Sequence, residues 1–216
     1  MHQKRITIAK TWFVPRTGSK YIAFAMSDRE KSLPLIVAMR DILKLVKTKK
    51  ELNLLLNSKQ ISINGKVVRE KNYPINLFDS LSMPSAKKFY RTVLKAKKIG
   101  FEEISEKESS ERVYKVIGKK ILAGKKVQIN LSEGKNIISS EKIDTGDFVK
   151  IDNSNNKIKG IKQLKEGEDV IITSGKHIGK KGKIKKIIEE GERKIAEIES
   201  KNEKIRTEAK NLFITH

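Results

Sequence analysis

The chain has 216 residues with 48 lysines and arginines against 26 aspartates and glutamates, a formal net charge of +22. It has no cysteine, which excludes disulfides and thiolate metal sites, and His2, His177 and His216 lie too far apart in sequence to suggest a metal site. No apolar run approaches the roughly 20 residues of a spanning helix, and no signal peptide is visible, so we expect a cytoplasmic protein. So large a positive charge favours a polyanionic partner. Nucleic acid is the first candidate and an anionic membrane surface is the second.

The positive charge is concentrated in the first hundred residues. Residues 1–50 carry a net charge of +9 and residues 51–100 a net charge of +7. Residues 101–150 carry only +1, and residues 151–216 carry +5. A coat that served solubility alone would be spread evenly, so the distribution predicts dedicated basic surfaces.

Residues 1–31 predict a basic N-terminal arm. Aromatic residues alternate there with basic ones, among them Lys4, Arg5 and Lys10. Such interleaving suits pairing with phosphates and stacking on unpaired bases. Trp12 and Phe13 could equally dock the arm on the body of the protein. Because apolar residues are sparse in this segment, we expect it to be disordered without RNA.

Residues 32–100 predict two helices followed by a small sheet. A first helix begins at Pro34 and continues to Val46, with its apolar residues on one face. Thr48 to Glu51 form a capping box that opens a second helix. Asn64-Gly65 then predicts a two-residue hairpin, and residues 77–83 predict a further strand.

This order of elements resembles the S4-type RNA-binding domain, in which the two helices and the adjacent hairpin present a basic face to structured RNA. The resemblance implies RNA contacts by the matching basic positions, which are Lys47, Lys49, Lys50, Lys66 and Arg69. Gly65 is a structural glycine of the hairpin. Where the family often has Gly-Asp before the last strand, the chain has Phe78-Asp79.

A second basic stretch follows, in which no acidic residue occurs between Asp79 and Glu102. It contains Lys87, Lys88 and Arg91. A charge run is often only a solvated face. The absence of acids beside an RNA-binding type of domain favours phosphate contact instead.

Residues 101–168 predict a nearly neutral, β-rich central domain without catalytic chemistry. The sequence predicts a linking helix from Glu102 to Arg112 and a hairpin over residues 127–138. Another strand opens after Thr145-Gly146-Asp147. Short strands separated by regular turn signals are typical of a small barrel.

Residues 169–216 predict a strand, a glycine-rich loop and a return strand. Three glycines at spacings of four and three, Gly175, Gly179 and Gly182, resemble the KOW motif, which sits on a small SH3-like barrel. We expect these glycines where the loop takes positive φ or RNA backbone approaches closely. A nucleotide phosphate loop is excluded because it needs one more residue and a hydroxyl where Lys181 stands.

The basic side chains of this loop are candidates for RNA contact. They are Lys176, His177, Lys180, Lys181 and Lys183. The alternative is a tight barrel turn that carries its lysines incidentally.

Taken together, the segments predict an α+β, multidomain protein: an arm (1–31), an S4-type domain of two helices on a small sheet (32–100), a β-rich central domain (101–168) and a C-terminal SH3-like KOW barrel (169–216). The whole resembles the S4e family of archaeal and eukaryotic small-subunit ribosomal proteins. The resemblance rests on His2-Gln3-Lys4-Arg5 with Trp12, Leu33-Pro34-Leu35, Gly118-Lys119-Lys120, Gly124-Lys125-Lys126-Val127-Gln128, and the run from Gly175 to Gly182.

The family resemblance implies a structural role in the small ribosomal subunit, with ribosomal RNA and neighbouring ribosomal proteins as partners. It implies no catalytic site, cofactor, metal, membrane or small-molecule substrate. An RNA-modifying enzyme would need a catalytic domain for which 216 residues leave no room. A KOW-type transcription elongation factor, or another non-ribosomal RNA-binding factor, stays open as an alternative, although the elongation factor would not account for residues 32–100.

Overall fold

The computed structural model describes residues 3–29, 31–122, 126–139, 141, 143–153, 155–191, 193–200 and 203–214. The chain divides into two compact units, Met1–Arg112 and Val113–His216. Three residues of the motifs quoted above, His2, Gly124 and Lys125, lie outside the described residues, as does His216. The finer division into four segments stays a prediction.

The first unit is built on a five-stranded antiparallel sheet with the order β5-β4-β7-β8-β9. Its strands are β4 (Ser62–Ile63), β5 (Lys66–Val67), β7 (Ser80–Met83), β8 (Lys88–Lys95) and β9 (Lys98–Glu103). Two short pairs accompany it, β1 (Gln3–Lys4) with β2 (Tyr21–Ile22) and β3 (Leu33–Pro34) with β6 (Pro74–Ile75). Asn64 and Gly65 form the predicted two-residue hairpin with φ of 50° and 76°.

The first predicted helix is shorter than its apolar pattern. It comprises α1 (Leu35–Val37) and a π-helical turn, Ala38–Ile42. Lys44 takes a left-handed backbone conformation with φ of 54°, which ends the helix. Val46 is nevertheless buried, so the apolar periodicity continues into a segment that is not helical.

The second helix, α2 (Lys49–Asn57), begins where its capping signal predicts. The hydroxyl of Thr48 accepts a hydrogen bond from the Glu51 N–H at 3.2 Å. The Glu51 carboxylate in turn accepts one from the N–H of Lys47 at 2.8 Å. This hydrogen bond from Lys47 lowers the pKa of Glu51 and closes the first turn of the helix.

The prediction of a helix from Glu102 to Arg112 is wrong for most of that segment. Only α3 (Glu106–Ser109) is helical, with a capping box between Ser105 and Glu108. A long strand, β10 (Glu111–Ile121), follows at once. The reason is tertiary, because Arg112 is buried with an acidic partner and the β-forming residues after it enter a sheet.

The N-terminal arm is docked on the first unit, so the expectation of disorder without RNA is wrong for residues 3–29. Trp12 is 2% exposed and pairs with Ile99 of β9, whose N–H donates to the carbonyl of Thr11 at 2.6 Å. The guanidinium of Arg5 closes the arm on itself through the carbonyls of Pro15 and Ser19, both at 2.9 Å. Apolar residues are few in the arm, but burial of residues such as Trp12 is enough to hold the arm in place.

A buried carboxylate, that of Asp79, links three segments of the first unit. One of its oxygens accepts from the side-chain amide of Asn64 at 2.5 Å, and the other accepts from the N–H of Asn76 at 2.5 Å. Arg112 forms an ion pair with it, and both side chains are almost completely buried. Phe78, the residue before Asp79, has φ of 66°, a left-handed backbone conformation that favours glycine.

The second unit contains two five-stranded sheets. The sheet with the order β12-β11-β10-β13-β14 contains β10 together with β11 (Val127–Leu131), β12 (Asn136–Ser139), β13 (Phe148–Asp152) and β14 (Ile158–Lys162). The hairpin predicted over residues 127–138 is confirmed as β11 and β12. The sheet with the order β18-β17-β16-β15-β19 contains β15 (Asp169–Ile172), β16 (Lys181–Glu190), β17 (Arg193–Ser200), β18 (Glu203–Glu208) and β19 (Leu212–Ile214).

The side chain of Lys115 joins the two sheets of the second unit. Its ammonium group donates to the carbonyls of Ala209 at 2.7 Å and Lys210 at 3.0 Å, just before β19. It also lies 5.5 Å from the ring centroid of Phe148 in β13. Burial lowers the pKa of Lys115 to about 8, because a low-dielectric environment disfavours the charged form.

The glycines of the KOW loop have two different roles. Gly175 and Gly179 have positive φ, 93° and 83°, as expected for a turn. Gly182 does not, so the expectation of positive φ is wrong at this position. It lies in β16, where a Cβ would come within 2.5 Å of the carbonyl oxygen of Glu199. Glycine is required there because β17 approaches too closely for any side chain.

The docking of the arm predicts that Trp12→Ala lowers the free energy of unfolding by about 3–5 kcal/mol, the usual cost of emptying a large aromatic site. The indole N–H has no hydrogen-bond partner among the described residues, so Trp12→Phe should cost clearly less. Urea denaturation measures both losses, and limited proteolysis should cut the arm first in the alanine variant. Equal stability of the wild type and the alanine variant would contradict the docked arrangement.

Removal of one partner from the buried ion pair leaves an uncompensated charge, so Asp79→Ala should cost about 3–5 kcal/mol. The double change Asp79→Ala with Arg112→Met should recover part of that loss. Glu102→Ala is the matched control, since it breaks an exposed pair with Lys95 (3.2 Å) and should cost no more than about 1 kcal/mol. Denaturant titrations measure these free energies of unfolding. A double variant no more stable than Asp79→Ala would show that the unpaired buried charge of Arg112 does not cause the loss of stability.

The close approach at Gly182 predicts that Gly182→Ala destabilises the second unit by about 1–3 kcal/mol through overpacking. Gly160→Ala in β14 is the control, because no atom lies within 4 Å of its Cβ position. We expect the control to unfold at the wild-type temperature or slightly above it. Equal melting temperatures for the two variants would show that β16 and β17 can separate at no cost.

Candidate nucleic-acid interface

Most of the predicted RNA-binding side chains fall on three basic surfaces. The helix surface comprises Lys47, Lys49, Lys50, Lys66, Arg69 and Lys71. The turn surface, around the turn between β8 and β9, comprises Lys95, Lys97 and Lys98, while Lys87 and Lys88 lie at the opposite end of β8. The loop surface, in the second unit, comprises Lys176, His177, Lys180, Lys181 and Lys183.

Part of the helix surface forms around the start of α2, while Lys66 lies in the β4–β5 hairpin and Arg69 follows it. The lysines at 47, 49 and 50 are exposed, and the positive end of the helix dipole adds to their field. The ammonium groups of Lys49 and Lys71 lie close together, and the contact with Lys49 lowers the pKa of Lys71. Sequence analysis did not select Lys71, because its proximity to Lys49 arises only from folding. Two adjacent like charges favour a shared anion.

The turn surface lies at the turn between β8 and β9, and a second basic turn precedes β8 at the other end of that strand. Lys87 has φ of 51° in the turn before β8, and Ala96 and Lys97 form a two-residue turn of positive φ between β8 and β9. These turns leave the lysines exposed. Lys95 is paired with Glu102 at 3.2 Å, whereas Lys97 and Lys98 form no ion pair within the part of the chain that the structure describes.

Arg91 and Arg5 differ from the other predicted RNA contacts because their guanidinium groups bind the protein itself. Arg91 donates to the carbonyls of Glu108 at 2.6 Å and Glu111 at 3.1 Å, and burial lowers its pKa. Arg5 holds the arm together as described above. Their contacts with RNA stay predictions, while Lys4 and Lys10 are exposed on the arm.

The loop surface is carried by residues 173–180, between β15 and β16, and by the first residues of β16. The loop is closed by hydrogen bonds from the Gly179 N–H to the carbonyl of Ile172 (2.8 Å) and from the Ile172 N–H to the carbonyl of Lys180 (3.1 Å). The hydroxyls of Thr173 and Ser174 donate to Asn211 at 2.9 and 2.6 Å. The loop is therefore anchored at both ends, with Lys176 exposed near its tip.

One lysine of the loop surface has an acidic partner that sequence analysis missed. Lys180 forms an ion pair with Glu203 of β18, which lowers the pKa of the Glu203 carboxyl. Lys181 and Lys183 follow at alternate positions of β16 and are exposed. Glu203 is distant in sequence, and only the sheet order brings it to the loop. Lys176, Lys181 and Lys183 are therefore the more available cations of this surface.

These surfaces are suited to binding an extended polyanion. Most of their cations are exposed at turns or near the ends of helices and strands, where phosphate oxygens have room to approach. The described residues contain no group of three or more His, Asp or Glu that could hold a metal ion. No helix among them is long and apolar enough to cross a membrane.

Comparisons with known proteins match the chain to two family models and to relatives over most of its length. Residues 86–158 match the model of the Ribosomal family S4e, and residues 166–202 match the KOW motif. The small ribosomal subunit protein eS4 of Methanocella arvoryzae is 32% identical over 189 residues, covering 86% of this chain and 80% of that protein. Its counterpart from Archaeoglobus fulgidus is 30% identical over 219 residues, covering 99% and 92%.

A solved structure supports the same assignment. The crystal structure of the 30S ribosomal protein S4e from Thermoplasma acidophilum superposes with a TM-score of 0.72 at 26% identity, over 86% of this chain and 95% of that one. The fold of this chain is mixed, with many strands and few helices. The family resemblance seen in the sequence is thereby confirmed: the chain belongs to the ribosomal S4e family.

Proposed function

We propose that the protein is a structural constituent of the small ribosomal subunit, which binds small-subunit ribosomal RNA in the cytoplasmic ribosome beside neighbouring ribosomal proteins. The observation that carries the proposal is the exposed positive charge on both units. Residues 1–112 contain 24 basic and 11 acidic side chains, and residues 113–216 contain 24 and 15. The names of the relatives, small ribosomal subunit protein eS4, support it.

Two finer assignments belong to this proposal. Residues 32–100 act as an S4-type RNA-binding domain, supported by the capped helix α2 and the Asn64-Gly65 hairpin. Residues 169–216 act as an SH3-like KOW barrel, supported by the five-stranded order β18-β17-β16-β15-β19. In both, a small rigid scaffold presents basic side chains from its turns, as RNA-binding modules do.

The proposed role is non-catalytic. His177 is the histidine among the described residues, and it lies in the glycine-rich loop. The nearby carboxylate of Glu203 is engaged by Lys180, so no oriented acid–base pair forms there. A transcription elongation factor of the KOW type would leave the helix and turn surfaces of the first unit without a role.

Phosphate contact by the loop surface predicts a defined salt dependence. For about six phosphate contacts, log K should fall against log salt with a slope of roughly −4 to −5. Lys176→Glu with Lys181→Glu should lower the affinity for small-subunit rRNA and reduce the slope by about 1.4 to 1.8, the contribution of two contacts. Filter binding between low and moderate salt measures both quantities.

The control for that experiment changes the same charge elsewhere. Lys157, just before β14, and Lys162, at its end, are exposed outside the three surfaces, and their replacement by glutamate alters the net charge equally. Lys180 is left intact in both variants because glutamate there would face Glu203. If loop and control variants bind rRNA with the same affinity and slope, the loop surface does not contact phosphate.

A further inference from the structure

Two consecutive aromatic residues of the arm have opposite environments. Trp12 is 2% exposed, whereas Phe13 is 59% exposed. The backbone on either side of Phe13 is fixed, since Trp12 pairs with Ile99 and Val14 is buried. Phe13 is therefore presented to solvent from an anchored segment, so little conformational entropy remains to be lost when a ligand packs on its ring.

The ring of Phe13 is accompanied by cations of the turn surface. The ammonium group of Lys98 lies 5.0 Å from the ring centroid. Lys97 occupies the adjoining turn, and neither lysine has an acidic partner among the described residues. The same combination recurs in the arm, where Lys20 lies 5.5 Å from the ring of the half-exposed Tyr21.

We propose that Phe13 is a stacking site for an unpaired RNA base, with Lys98 neutralising the phosphate of the same strand. The proposal rests on the proposed function and adds a recognition element to it. An exposed phenyl ring among lysines is poorly suited to an apolar protein groove, because the surrounding ammonium groups would lose hydration without a counter-charge. A nucleotide supplies both a flat apolar base and a charge, which fits the ring and the lysines together.

The single tryptophan of the wild type makes a direct test possible. Trp12 is buried, so its fluorescence should not respond to a ligand at the surface, whereas the indole of Phe13→Trp should be exposed. The probes are a 12-nucleotide oligo(A) RNA and inorganic polyphosphate, a polyanion without bases, at equal ionic strength. We expect oligo(A) to quench the fluorescence of Phe13→Trp, polyphosphate to leave it unchanged, and the wild type to respond to neither.

Affinity measurements give the second arm of the test. Phe13→Ala and Phe13→Leu should both weaken oligo(A) binding by roughly fivefold to a hundredfold, the range that one base stack supplies. Both should bind polyphosphate as the wild type does. Thermal unfolding of the variants checks that the docked arm is intact, which the exposure of the ring leads us to expect.

Three results would overturn the proposal. The first is equal quenching of Phe13→Trp by polyphosphate, and the second is unchanged oligo(A) affinity of Phe13→Ala. The third is a Phe13→Leu variant that behaves as wild type while Phe13→Ala loses incorporation into small subunits, which would identify a protein partner. If the wild type still binds small-subunit rRNA with a steep salt dependence in these cases, only the stacking site is wrong. If the wild type binds no rRNA, the proposed function fails as well.

Discussion

The buried carboxylate of Asp79 is the constraint on which the first unit depends. A charge removed from water must be compensated, and here the compensation comes from the Asn64 hairpin, the backbone at Asn76 and the guanidinium of Arg112. The hairpin, the backbone that follows β6 and the start of β10 are therefore held in one arrangement. Lys66 of the helix surface takes its position from this hairpin, so a buried ion pair supports part of that basic surface.

The cations of the protein are divided between two tasks. Arg5, Arg91 and Arg112 direct their planar guanidinium groups at backbone carbonyls of their own chain, where several donors in fixed geometry are an advantage. The lysines, each with a single charge at the end of a flexible side chain, supply most of the cations of the three basic surfaces. The net charge of the sequence consequently exceeds the charge that is available to RNA. In the second unit, the ammonium groups of Lys115 and Lys180 also bind groups of the protein itself, which makes their charges less available to RNA.

The loop surface illustrates how backbone packing supports binding. Gly182 allows β17 to approach β16 closely, and Gly175 and Gly179 turn the chain between β15 and β16. The loop is then tied to Asn211, which leaves its exposed lysines on a rigid base. A rigid base matters because each side chain that is already positioned loses less entropy on binding.

The amino-acid sequence by itself determined the features that depend on neighbouring residues: the cap at Thr48, the turn at Asn64-Gly65, the hairpin of β11 and β12, and the sign and uneven distribution of charge. Tertiary structure alone decided the features that depend on distant partners. Trp12 is buried and Phe13 exposed because of β9, Arg112 lies in a strand because of Asp79, and Lys180 is paired because β18 brings Glu203 to the loop. Local patterns encode backbone preference within a few residues, whereas burial and pairing arise between segments that meet only in the folded chain.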